Sequence, residues 1–367
     1  MTSFTKKRLL SGIYGYNIGI YEYFMSINSN HIQINHSILK DIGELDTFNG
    51  QWPLLKNKIE FELGRLKHIS TIASIGSSTR IEGGQMSDKE IDNFLGDIES
   101  ESFLNRDKQE VLGYKNLLDE IFESFEHIDL TENFIKQLHK ILLSHSEKDA
   151  FHLGNYKKFE NNVVAKKNGK EIGIIVKTST PFETPQKMTE LIDWFNESID
   201  IHPLIRCGIF IVHFLAIHPF QDGNGRLSRA LTTLILLKLG YEYAPYCSFE
   251  SIIEANKADY YKSLNETQKT LQSNHPDYTP WLTFFIECLK KQQSLLTNNK
   301  ESLKAPISKS QQRILEFAES VTTFQNNDAS EQLNMNKNTV KINLKKLVER
   351  NLLEKHGVGK GTWYKRI

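Results

Sequence analysis

Apolar residues recur at three- and four-residue spacing, with polar residues between them, over Leu55 to Ile81, Asp88 to Phe103, Lys108 to Phe125, Thr131 to Leu143 and Pro185 to Ser198. This is the pattern of helices with one buried face, and Thr131-Glu132-Asn133-Phe134 adds a start signal to one of them. Two more segments, Cys207 to Ile217 and Ala230 to Leu239, are apolar on nearly every side, which predicts helices buried all round. The period shortens at Val163-Val164-Ala165 and Ile172-Gly173-Ile174-Ile175-Val176, which flank a tip containing Asn168-Gly169 and predict a β-hairpin. Near the C-terminus, residues 308–320, 328–333 and 337–350 read as three helices, and Leu352 to Arg366, punctuated by Gly357, Gly359 and Gly361, as a second hairpin. The expected fold class is mainly α, a helical body with one hairpin followed by a small C-terminal unit.

Composition narrows the class without choosing a chemistry. The 367 residues are 39% hydrophobic and 25% charged, and 45 Lys and Arg balance 45 Asp and Glu, so the whole-chain charge points to neither nucleic acid nor membrane. Cys207, Cys247 and Cys288 are far apart, form no Cys-x-x-Cys pair, and read as buried free thiols suited to a reducing cytoplasm. The stretch Leu9 to Phe24 behind Lys6-Lys7-Arg8 is broken by Ser11, Tyr14, Asn17 and Glu22, unlike a secretion signal. No run reaches the roughly 18 apolar residues of a membrane span. The expected division is an N-terminal helical region 1–100, a core 101–291, a linker 292–306 leading past Ala305-Pro306, and a terminal unit 307–367.

The candidate chemistry lies between the two apolar helices, in His218-Pro219-Phe220-Gln221-Asp222-Gly223-Asn224-Gly225-Arg226, with Arg229 following. Gly223 and Gly225 free the backbone and clear space beside it, and Asn224, Gly225 and Arg226 open a helix whose unpaired N–H groups favour an anion. Arg226 and Arg229, three apart, lie on one helical turn and each can fork onto phosphate oxygens. Asp222 is a hard oxygen ligand placed to hold Mg²⁺ against those phosphates. His218 is the side chain of the run that titrates near neutrality, and reads as a general base for an incoming hydroxyl. Nine fixed positions recur by chance with a probability on the order of 10⁻¹² per start site, so an accidental turn is excluded.

The block His-Pro-Phe-x-Asp-Gly-Asn-Gly-Arg-x-x-Arg resembles the signature of the Fic family, mostly adenylyltransferases that move AMP from ATP to a hydroxyl side chain of a protein. The resemblance implies a Fic-type helical bundle and a catalytic set of His218, Asn224 and Arg226. Asn224 would donate to the transferred α-phosphate, Gly223 and Gly225 would offer backbone N–H groups, and Arg226 and Arg229 would hold the β- and γ-phosphates of ATP, with Mg²⁺ on Asp222. Upstream, Ser78-Thr79-Arg80-Ile81-Glu82-Gly83 looks like the family's inhibitory motif, at the end of a helix that Gly83-Gly84 stops. By resemblance Glu82 pairs with Arg229 and obstructs the γ-phosphate. The first hairpin corresponds to the family's flap, over which Ile175, Val176, Lys177 and Thr178 would approach the nucleotide, and whose open edge would take an extended protein segment by strand addition. The helix beginning at Asn256 would line the adenine, Asn256 by a hydrogen bond and Tyr260 by its ring.

The terminal unit resembles a winged helix-turn-helix. From Glu301 to Ile367 there are 12 Lys and Arg against 7 Asp and Glu, and the third helix carries Lys337, Lys341, Lys345, Lys346 and Arg350, with Asn336, Asn338 and Thr339 at its start. DNA and protein both fit such a surface. The expected partners are therefore a protein segment on the flap, the chain itself as target or as a homodimer, and DNA through the terminal unit, with no membrane. The alternatives to AMP transfer are a DNA-binding regulator whose core senses nucleotide, transfer of another phosphate-containing group, and removal of AMP.

Overall fold

The computed structural model describes residue 27 and residues 32–96, 105–167, 170–298, 308–350 and 352–367. Helix α1 (His36–Lys58) starts where the Asn35 side chain accepts from Ile38 N at 2.8 Å, and it runs through Pro53. The single helix expected over Leu55 to Ile81 is two. The backbone breaks at Ile59, whose N–H turns back to Leu55 O and Lys56 O, and α2 (Glu60–Ile81) continues from there. Then follow α3 (Asp88–Gly96), α4 (Arg106–Ser124) and α5 (Glu132–Leu142), the last capped by Thr131 as its start signal implied. Residues 97–103 of the expected 88–103 helix lie outside the described residues.

Strands β1 (Val163–Lys167) and β2 (Lys170–Val176) pair antiparallel, Val163 opposite Val176 and Lys167 opposite Lys170, with the Asn168-Gly169 tip outside the described residues. The body is completed by α6 (Thr184–Glu197), α7 (Pro203–Ile217), α8 (Asn224–Lys238), α9 (Phe249–Ala255), α10 (Lys257–Gln268) and α11 (Thr279–Asn298). The apolar pair α7 and α8 forms its centre, with Phe210, Phe214, Leu227, Leu231 and Leu234 fully buried. At about 1.5–3 kcal/mol for each large apolar side chain buried, this packing fixes the two ends of the loop between them. Gly208 admits α11: a Cβ there would lie 2.8 Å from Leu282, and Trp281 Nε1 donates to Gly208 O at 2.7 Å.

Helix α2 is fastened to α9 by three polar rungs. Ser74 Oγ donates to Glu250 (2.7 Å), Ser77 Oγ to Ser251 Oγ (3.1 Å), and Arg80 forks onto Glu254 (2.7 and 2.9 Å). These residues recur at helical spacing on both partners, so one face of α2 meets one face of α9. Tyr114 of α4 donates to the same buried Glu250 at 2.8 Å. Helix α4 also presses on α5, because Gly113 leaves room for Leu142 O where a Cβ would stand 2.0 Å away.

Residues 292–298, read from composition as the start of a linker, finish α11. Gln292 is buried, its amide donating to Ala244 O and Cys247 O. Beyond come α12 (Lys309–Ser320), α13 (Asn326–Gln332), α14 (Lys337–Glu349) and the antiparallel ribbon of β3 (Leu353–His356) and β4 (Trp363–Arg366). They enclose their own core of Ile314, Leu315, Val340, Leu344, Leu347 and Leu352. Arg350, counted from sequence among the outward cations, instead pairs with the buried Glu62 of α2. Among the described residues, no helix is long and apolar enough to cross a membrane.

Candidate active site

Helix α7 ends at His218, whose backbone is left-handed (φ 53, ψ 60), a conformation that costs an L-residue of order 1 kcal/mol or more. The turn after it is closed by Asn224, which accepts from Phe220 N at 2.9 Å and donates to Phe220 O at 2.7 Å. The resemblance made this amide a phosphate donor. Here one of its two N–H groups goes to Phe220 O, so Asn224, only 1% exposed, also braces the loop. Gly223 caps α8 at φ +82, where a Cβ would also approach Leu142 to 3.2 Å. The first-turn N–H groups of Asn224, Gly225 and Arg226 then point out of α8 without intrahelical acceptors, forming the anion nest.

The loop has a support that sequence reading missed. His139 of α5 stacks on Phe220 at 3.8 Å and 7°. Gly154 N–H donates to His139 Nδ1 (3.1 Å), which places the ring proton on Nε2, from where it is donated to Asp222 O (3.0 Å). Burial pushes this imidazole down to about 4, so the arrangement stays neutral.

Charge is arranged around the nest in pairs. Burial alone would raise the Asp222 carboxyl, but Arg226, Lys148 and the Gly223 N–H hold it down at about 2. Arg226 Nη2 lies 3.2 Å and Lys148 Nζ 2.7 Å from its oxygens. Arg226 is 3% exposed, with Glu110 at 3.5 Å behind it, itself bound by Arg106 at 2.9 Å. Among the described residues its buried Nε and Nη1 have no hydrogen-bond partner, and Nη2 is the nitrogen that reaches Asp222. Arg229 is 2% exposed: Nε donates to Ser78 Oγ (3.0 Å), and Nη2 to Ser78 O (3.0 Å) and Glu82 Oε1 (2.9 Å). Burial would lower its pKa, but the Glu82 carboxylate raises it instead.

Glu82 is delivered by the end of α2. Gly84 N donates to Thr79 O (2.9 Å) and Gly83 N to Arg80 O (3.1 Å), with Gly83 at φ +106, a Schellman stop, while Lys257 Nζ caps Ile81 O at 2.7 Å. Its carboxylate lies over α8, where a Cβ on Gly225 would stand 2.3 Å from Oε1. The absence of a side chain at Gly225 therefore makes room for Glu82.

His218, Asp222, Gly223, Gly225, Arg226, Arg229 and Glu82 all face one cavity of about 260 Å³. His218 Nδ1 donates to Leu215 O at 3.3 Å, which leaves Nε2 as the lone pair. Burial, and then the Lys157 cation, push the ring down to about 4, so it stands unprotonated at neutral pH. Helix α10 closes the far wall with Tyr260, Tyr261, Leu264, Asn265 and Gln268. Asn256 is not among them. It caps α10 with non-helical backbone (φ −122, ψ 33), so its side chain folds back to Ile252 O (2.7 Å), takes Lys291 Nζ (3.0 Å), and lines a separate groove against α11. Thr178 is buried beside Lys157 and Asn162, and Lys177 is exposed; Asn162 stands at the cavity edge in their place. The side chains of Ile175 and Val176 lie outside the described residues.

A helical bundle with a hairpin beside a glycine-lined anion nest, a neutral histidine and two buried arginines defines the class, a Fic fold. Residues 129–236 match the Fic/DOC family model. Among solved structures, a Fic family protein from Desulfovibrio desulfuricans G20 superposes with a TM-score of 0.62 at 20% identity, over 92% of this chain and 97% of that one. Fic-1 from C. elegans superposes with a TM-score of 0.56 at 20% identity, over 72% and 74%. Among curated relatives, protein adenylyltransferase Fic of Nematostella vectensis is 29% identical over 113 residues, 30% of this chain and 24% of the relative. Protein adenylyltransferase and cysteine protease IbpA of Histophilus somni is 33% identical over 86 residues, 22% of this chain and 2% of the relative. The chain thus spans about a quarter or less of the length of these curated relatives. The matched segment, residues 129–236, carries a Fic/DOC domain, and the helical body shares its fold with Fic proteins.

Proposed function

We propose that the chain transfers AMP from ATP to a hydroxyl of a protein segment, restrained by Glu82. The observation that carries this reading is a convergence: Arg226, the open N-terminus of α8 and a neutral imidazole line one cavity, the groups that a phosphate chain undergoing attack requires. His218 Nε2 takes the proton as the target oxygen bonds to the α-phosphorus, and the bond from that phosphorus to the bridging oxygen breaks, releasing pyrophosphate. Relatives named protein adenylyltransferase support the same reaction class.

Among the described residues, no group of three or more His, Cys, Asp or Glu could cage a metal. Mg²⁺ needs no cage, since it commonly rides on substrate phosphates with one or two carboxylates, and the ionised Asp222 fits that role. The ion would neutralise charge on the departing phosphates. Glu82 occupies Arg229, the guanidinium that would otherwise meet the γ-phosphate, which is the basis of the restraint.

Intact mass after incubation with ATP and Mg²⁺ tests the reading. Glu82→Gly should gain the mass of one or more AMP groups at a rate at least ~10-fold above the parent, the scale set by one charge-assisted pair of 1.5–3 kcal/mol. The double variant with His218→Ala should gain none. No mass gain in Glu82→Gly, or equal gain without the histidine, refutes it.

A second reading concerns the terminal unit, where Lys337, Lys341 and Lys345 stand exposed in one row along α14. The row favours a phosphate backbone. Duplex DNA binding that weakens steeply with salt, and less steeply in a Lys341→Ala, Lys345→Ala chain, is the expected behaviour.

A further inference from the structure

The carbonyls that shape the His218 turn are all held from one place. Lys157 Nζ donates to Ile217 O (3.0 Å), Asn161 Nδ2 to His218 O (3.4 Å), Lys157 N to Pro219 O (2.8 Å), and Asn161 Nδ2 again to Phe220 O (2.5 Å). Of these four successive carbonyls at the end of a buried helix, Phe220 O is also met by Asn224, and a cation is favoured there by the helix dipole. The same two residues root the hairpin. Lys157 Nζ donates to Asn161 Oδ1 (2.8 Å), just before β1, and to Thr178 Oγ1 (3.1 Å), just after β2, while Thr178 N donates to Asn162 Oδ1 (3.0 Å). Lys157 is 4% and Thr178 6% exposed, so neither hydrogen bond competes with bulk water.

We propose that Lys157 and Asn161 are positioning residues that hold His218 in its left-handed turn and tie that turn to both roots of the β1–β2 hairpin. A segment adding to the hairpin edge displaces its roots, and the knot passes that displacement to the imidazole. Neither residue lines the cavity, so the consequence falls on the reaction step rather than on nucleotide binding.

The inference deepens the adenylyl-transfer reading and rests on it, so it is tested in the Glu82→Gly background, measuring turnover by AMP incorporation and ATP affinity by calorimetry. Lys157→Met should lower kcat about 10–100-fold, the cost of a misplaced catalytic group, while the Kd for ATP stays within about 2-fold. Lys157→Arg, which retains a cationic donor, should recover most of the loss, and Thr178→Val, which removes the two Oγ1 bonds to Lys157 and Asn161 but leaves the carbonyl contacts, should fall between. An unchanged kcat, or a kcat loss matched by lost ATP affinity and not rescued by arginine, overturns the proposal. If Glu82→Gly itself transfers nothing, the transfer reading has failed, and the knot is judged by amide hydrogen exchange alone. Lys157→Met should then speed exchange over residues 218–223 about 10-fold while the interior of α8 is unchanged. Equal exchange in variant and parent over 218–223 removes the knot.

Discussion

At the residue scale the site is a set of neutral supports around ionised groups. His139 is the clearest, since both of its nitrogens are spent on backbone groups of the loop and of Gly154. His139→Leu leaves Asp222 O and Gly154 N buried without partners, and should cost about 2–4 kcal/mol by urea denaturation at pH 7.5, at 1–3 kcal/mol for each unsatisfied group. The variant should also lose nucleotide affinity, because the nest is no longer shaped. His218 differs in that its lone pair faces the cavity. A base pushed down to about 4 is unprotonated throughout the neutral range, so the transfer rate of Glu82→Gly should be level from pH 7.5 to 6 as far as this group is concerned. An acid limb centred on 6.5 in the rate profile would mean a solvated imidazole, contrary to the packing. Nothing in the residue pattern marks His139's part beyond its place in the stripe Ile135, Leu138, Leu142, where a histidine reads as core. Only the fold brings it under Phe220.

At the scale of elements, function depends on how α2, α4 and α5 are pressed onto α8. The end of α2 is seated by the Arg80–Glu254 fork as much as by the Glu82–Arg229 pair, so Glu254→Gln should raise basal AMP incorporation several-fold while Glu82 is intact. Incorporation equal to the parent's would show that the Arg229 contact alone seats Glu82. Gly113→Ala should destabilise the fold by about 1–3 kcal/mol in urea, the usual cost of overpacking, because a methyl there meets Leu142 O and backbone cannot step aside cheaply. Much at this scale was legible: the apolar period located α4, α5 and α6 to within about two residues and found the pair flanking the loop, although α7 starts four residues before Cys207, at Pro203, and α8 six before Ala230, at Asn224. Three things were not. Ile38, Ile42, Leu45, Phe48 and Trp52 repeat at helical spacing and are all buried, yet Pro53 conceals that α1 runs on through it. The break at Ile59 has no Gly or Pro to announce it. Asn256 sits four residues before Tyr260 and so reads as sharing its face, whereas its cap geometry turns it away.

At the scale of the whole molecule, two buried neutral histidines and one ion pair between units set the response to pH and to cutting. His139 and His213 are almost wholly buried and pushed down to about 4 and about 3. Their folded pKa lies below the unfolded value near 6.5, so the unfolded chain binds the extra protons, and the stability they represent is complete above 6.5 and lost as pH falls toward 4. At ~1.4 kcal/mol per pH unit for each group, these two contribute about 2–3 kcal/mol between pH 7.5 and 5.5, and His218, also held at about 4, brings the expected drop in urea to about 4 kcal/mol; a level profile would contradict their burial. Asp222, held near 2, adds nothing in that window. The terminal unit has a core separate from that of the body, so its attachment rests on contacts such as Arg350 with Glu62, which is 3% exposed. Because Glu62 lies on the helix that ends in Glu82, whatever moves the terminal unit pulls on α2. Arg350→Ala leaves a buried carboxylate without its ion-pair partner, a loss of up to about 3–5 kcal/mol that should loosen the terminal unit. ¹⁵N relaxation should then report a shorter correlation time for residues 309–366 than for the body, with AMP incorporation rising above the parent's; a single correlation time in Arg350→Ala would place the attachment elsewhere.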